Sequence, residues 1–154
     1  MKALKVILAA LISLVLAFGV LMIFKAFRSH KMNPEVGVIN DQLRACGQKP
    51  NCISSFAEQG TSFYYAPIES NNIESVWDSL NILLSENPYK VESSSTNYIH
   101  ATATTSLLKF VDDLEFLLSV KDGKIFVRSA SRVGRSDLGT NRKRMDKIVQ
   151  RLLK

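Results

Sequence analysis

The sequence predicts an α+β protein: an N-terminal transmembrane helix followed by a two-layer domain, in which an antiparallel sheet is packed by two amphipathic helices. Three observations predict it. An uncharged apolar run opens the chain, period-two alternation recurs in its middle, and stretches around Trp77 and Ile148 carry apolar stripes at helical spacing. With 154 residues, the chain less its apolar run has the size of one compact domain.

The run from Val6 to Phe24 holds 19 residues without a charge. As a helix it matches a hydrocarbon core of ~30 Å. Residues 1–24 therefore read as a single transmembrane anchor. The rival is a cleaved signal peptide, with Lys2 and Lys5 as its basic end and Ala17-Phe18-Gly19 as the cleavage site. Apolar residues continue from Val20 to Phe24, where a cleaved precursor should turn polar, and this favours the retained anchor. Basic residues flank both ends of the run, so charge alone leaves its orientation nearly balanced. Cys46 and Cys52 flank a turn-forming segment and are expected to close a small disulfide loop, which favours an oxidising compartment. The expected location is the inner membrane, single-pass, with the domain in the periplasm. Two unpaired cytosolic thiols are the alternative. Two cysteines do not make a zinc site, and no metal or cofactor is expected.

Residues 25–61 contain Pro34, Gly37, Gly47, Pro50 and Gly60 without sustained periodicity and read as a connecting arm. The α+β domain is expected over residues 62–154, opening with a β-prone run at Phe63-Tyr64-Tyr65. Ile73, Val76, Trp77, Leu80, Leu83 and Leu84 form one helical face, with Asn71 and Glu74 as a capping-box-like start and Asn87-Pro88 as the stop. Trp77 is assigned to the core. Tyr89 to Glu92 and Tyr98 to Thr104 alternate as strands. His100 lies on the polar face of the second and reads as structural.

Asp122-Gly123 between two alternating apolar runs predicts a two-residue type I′ hairpin. That register sets Val120 opposite Ile125, Leu118 opposite Val127 and Phe116 opposite Ser129 on a core face. On the other face it sets Asp113 opposite Arg132, Glu115 opposite Ala130 and Leu117 opposite Arg128, with Glu115 diagonal to both arginines. Arginine forks meet carboxylates or phosphates through paired bonds, so two acids and two arginines make either a ligand site or an ion-pair lattice. A last helix follows, with Asp137 as N-cap and an apolar stripe of Leu138, Met145, Ile148, Val149, Leu152 and Leu153. Its N-terminus, with Ser131, Arg132, Arg135 and Ser136 beside it, is a candidate anion cradle. The candidate ligand-binding set is thus Asp113, Glu115, Arg128, Ser131, Arg132, Arg135 and Ser136. No P-loop, dinucleotide fingerprint or metal-binding cluster occurs.

From Arg128 to Lys154 the chain carries nine basic residues against two acidic. Anionic head groups or plain solvation both account for that helix face. The membrane tether and the lack of interleaved aromatics count against nucleic acid.

Phe110-Val111-Asp112-Asp113-Leu114-Glu115-Phe116, the run Val127-Arg128-Ser129-Ala130-Ser131-Arg132-Val133-Gly134-Arg135-Ser136-Asp137-Leu138-Gly139, Asn141-Arg142 and Asn51-Cys52-Ile53-Ser54-Ser55 together resemble the domain-of-unknown-function family 1499 of bacteria and plants. The resemblance covers about Asn51 to Leu153. It implies no activity, cofactor or catalytic residue.

Three function classes follow. The first is a membrane-anchored binding or accessory module that takes an anionic ligand or a membrane-protein partner at the arginine corner. The second is a hydrolase-type enzyme using paired carboxylates among Asp112, Asp113 and Glu115, against which stands the tendency of facing arginines to depress the raised pKa that general acid work needs. The third is a structural membrane scaffold. A cleft beside Arg128 and Arg132 separates the first two from the third.

Overall fold

The computed structural model describes residues 2–153. Helix α1, Lys2–Lys31, spans 30 residues, and its apolar part is unburied by the rest of the chain. It is long and apolar enough to cross a membrane.

The arm holds more structure than the expected loop. Strands β1 (Val38–Ile39) and β2 (Gln42–Leu43) form a hairpin, and β3 (Cys52–Ser54) joins the main sheet. After β4 (Ile68–Glu69) come α2 (Ile73–Leu84), β5 (Tyr89–Ser94), β6 (Tyr98–Thr104), β7 (Val111–Ser119), β8 (Lys124–Ser131) and α3 (Thr140–Leu152). The antiparallel sheet runs β3-β8-β7-β6-β5, with β4 beside β8 beyond the end of β3. Phe63-Tyr64-Tyr65 is not a strand. It makes one bridge, Ser54 to Tyr64, and the neighbouring strand forms after Pro67 instead.

Both helices pack on one sheet face, because even-numbered β7 residues and odd-numbered β8 residues share that side. Leu114, Phe116, Ile125 and Val127 meet Trp77, Leu80, Leu84, Met145 and Ile148 there, and all are buried. Trp77 is core, as its stripe requires. Helix α2 starts one residue later than expected: Asn72, not Asn71, is the N-cap, and its side chain accepts a hydrogen bond from the Ser75 N–H. Helix α3 also starts late. Gly139, in the left-handed region, is its N-cap, whereas Asp137 lies two residues earlier and accepts bonds from the N–H groups of Gly139 and Asn141. Leu138 falls outside the helix and is exposed.

The hairpin register differs by two residues from the type I′ expectation. Strand β7 ends at Ser119 and β8 begins at Lys124, joined by the four residues Val120 to Gly123. The turn closes through the Gly123 N–H on the Val120 carbonyl and the Ser119 hydroxyl on Asp122. Gly123 alone takes positive φ here, and a type I′ turn needs it at both central residues. The shift sets Phe116 opposite Val127 and Leu118 opposite Ile125, pairing apolar with apolar where the expected register gave Phe116 a serine. A shift of two keeps every side chain on its expected face. Two positive φ values in a row occur instead at Asn40 and Asp41, between β1 and β2, where both side chains tolerate that conformation.

Candidate functional site

The second sheet face is covered by the arm and the end of α1, so β7 is buried on both sides from Val111 to Leu117. Odd-numbered β7 residues point there. The observed register places Glu115 directly opposite Arg128 and Asp113 opposite Ala130.

Glu115 has no exposed surface. One carboxylate oxygen accepts from the Arg128 guanidinium. The other accepts from the Tyr98 hydroxyl at 2.9 Å and the Gly37 N–H at 2.6 Å. Gly37 sits at φ 112°, a region closed to other residues, which is how the arm turns its N–H onto the carboxylate. Burial, followed by the charge and the hydrogen bond of Glu115, pushes the Tyr98 phenol up, so it stays a donor. Arg128 is buried, and its Nε is a buried side-chain nitrogen without a protein acceptor among the described residues.

Asp113 accepts from Arg132 through both oxygens, at 2.8 and 2.9 Å, and from the His100 ring at 2.8 Å. Burial pushes the Asp113 carboxyl up, but the hydrogen bonds from His100 and Arg132, with their charges, outweigh it and hold the group below its ordinary value. His100 is therefore a buried, hydrogen-bonded structural histidine. Arg132 also donates to the carbonyls of Ser29 and Met32, at 3.3 and 3.4 Å. These lie at the C-terminal end of α1, where carbonyls are unpaired and the helix dipole is negative. The Ser29 hydroxyl takes the Val111 N–H, and His30 bonds the Lys109 carbonyl. One arginine thus joins the sheet to the long helix.

Asp112, one residue away, faces the helix layer and pairs with Arg144 of α3. Burial pushes its carboxyl up, and the Arg144 charge and the Ser131 and Arg144 hydrogen bonds offset this only in part. Nearby, buried Asn141 accepts from Ser129 and Arg144 and donates to the Asn51 carbonyl and Ser131, tying α3 to β8 and to the residue before β3.

The candidate residues divide between two concavities. Asp113, Arg128, Ser131 and Arg132 line a cleft of about 530 Å³ beneath the arm, with Lys49 and Glu35 at its edge. Ser131, Arg135 and Ser136 line another of about 520 Å³ beside α1. Glu115 is in neither and acts from behind Arg128. Asp137 already occupies the leading N–H groups of α3, so that helix start is not an open anion cradle. Cys46 and Cys52 are bonded to each other, with Cα atoms 5.7 Å apart, and pin the arm to the first residue of β3.

Gly37, Tyr98 and His100 complete the charged face, and sequence reasoning placed none of them there. Tyr98 and His100 stand on the polar face of a correctly read strand. Pairing β6 with β7 would have brought both to the acids, but the Thr105–Phe110 connection carries no turn signal that sets that register.

Fold and site together define an α+β domain carried by one helix long and apolar enough to span a membrane. Residues 42–152 match the family described as "Protein of unknown function (DUF1499)", and the chain belongs to that family. Nothing among curated proteins or solved structures matches it.

Proposed function

We propose that the chain is a single-pass protein of the inner membrane, with its domain in the periplasm, and that the domain is a binding or accessory module taking a small anionic ligand in the cleft beside Arg128 and Arg132. The observation that carries this reading is a buried arginine in the cleft wall whose Nε has no protein acceptor among the described residues, held by a carboxylate behind it. Arginines preset in this way suit carboxylate or phosphate oxygens. The cleft has the volume of a small-molecule site. The Cys46–Cys52 bond supports an oxidising compartment.

The paired-carboxylate hydrolase gains no support. Asp112 and Asp113 point to opposite sheet faces, each toward its own arginine, and Glu115 lies out of reach of any substrate. A cleft in place of a flat surface favours a binding module over a pure scaffold.

Calorimetric titration of the full chain with inorganic phosphate tests the reading. Wild type should bind, and Lys49→Ala should weaken binding while leaving the fold unchanged, since Lys49 lines the cleft, is exposed and makes no ion pair among the described residues. Equal heats from both proteins, or none, would contradict the site.

A further inference from the structure

The second concavity lies against α1 itself. It is lined by Met22 and Lys25 of that helix and by Leu107, Leu108, Phe110 and Leu138 of two loops. Met22 belongs to the uncharged run, and Lys25 is the first charge after it. If α1 crosses a bilayer, these two residues mark the boundary between acyl chains and head groups.

The loops at that level carry exposed leucines. Leu107 and Leu138 are each 86% exposed, and Leu108 is exposed beside them. Leu138 is also held at φ 52°, a conformation that a leucine rarely adopts. A left-handed backbone that presents a bare leucine to water is unfavourable on both counts, and lipid around the side chain removes one of them. Strand order explains why these loops meet. The end of β6, the start of β7 and the end of β8 lie at the α1 end of the sheet, where the Val111 N–H bonds Ser29. The β7–β8 turn lies at the opposite end, about 26 Å along β7 at the usual strand rise. Lys25, Lys109 and Arg135 border the apolar side chains, an arrangement that suits phosphate head groups.

We propose that Thr105–Phe110 and Val133–Gly139 form a second membrane contact, with Leu107, Leu108 and Leu138 inserted among the lipids at the depth of Met22. The domain then rests on the bilayer in one orientation instead of swinging on a tether. This rests on the reading of α1 as a membrane span. The occupant of the cleft beside α1 is lipid, and the Arg128 cleft on the arm side stays open to solvent.

Single cysteines at Met22, Leu107, Leu138 and Val120 of the full-length protein test this, each carrying an environment-sensitive fluorophore, in vesicles of phosphatidylcholine and phosphatidylglycerol. The native cysteines are bonded to each other and take no label. The three loop and turn positions are exposed, so labelling leaves the fold intact. The expected result is blue-shifted emission at Met22→Cys, Leu107→Cys and Leu138→Cys, with quenching by spin-labelled lipid several-fold above that at Val120→Cys. Quenching at Met22→Cys with water-like emission at Leu107→Cys and Leu138→Cys would overturn the second contact and leave the span standing. Water-like emission at Met22→Cys would overturn the span and this inference with it.

Discussion

Glu115, a carboxylate with no exposed surface, is bound by donors from three separate segments, Gly37, Tyr98 and Arg128, so losing it strands polar groups on all three. Breaking a buried ion pair from one side typically costs about 3–5 kcal/mol, because the remaining charge stays in the interior. Glu115→Ala should lower stability by that order in denaturant melts, and Glu115→Leu combined with Arg128→Met should recover much of the loss. A loss in the double variant equal to the sum of the two single losses would mean that the pair is not coupled. Asp113 supplies a pH test. Its folded pKa is depressed, so its contribution is present above the unfolded value of about 4 and fades as pH falls through the lower folded value. Asp112 has a raised pKa and works with the opposite sign, losing its contribution as pH rises through the folded value. Asp113→Asn should therefore flatten the acid side of a plot of Tm against pH, while Asp112→Asn should steepen it.

Among elements, the junction of α1 with β7 is a joint with a specified geometry. Ser29→Ala removes the acceptor of the buried Val111 N–H, which typically costs about 1–3 kcal/mol. Hydrogen exchange at Val111 should quicken in that variant while the Phe116 amide stays protected. Unchanged exchange at Val111 would show that the joint does not hold the strand. The disulfide closes a short loop, so the chain-entropy relation gives it about 2 kcal/mol. Cys46→Ser with Cys52→Ser should lower stability by that order in denaturant melts, without unfolding β7.

The same elements show what is legible in a sequence. Helix α2 and strand β6 were readable because their apolar periods are long and unbroken. The hairpin register was not, because Asp122-Gly123 is a local signal and the pairing of Phe116 with Val127 overrides it. The arm hairpin was hidden because Asn40-Asp41 lacks the glycine that usually marks such a turn. The charged cluster was legible as a set of residues on one face. Its burial was not, since the covering arm has no periodicity of its own.

For the whole molecule, the sheet has one face packed by helices and the other covered over β7 by a disulfide-pinned arm and the end of α1, and the charged layer lies beneath that arm. Arg132 reaches from this layer to the last carbonyls of α1, so the long helix and the cleft beneath the arm share a residue. The membrane readings above depend on α1 staying attached. Peptide mapping by mass spectrometry of the mature protein, recovered from membrane and soluble fractions, tests this most directly. The account predicts a membrane-bound chain that retains peptides from before Val20. A mature chain that starts near Val20 and is recovered in the soluble fraction would contradict it.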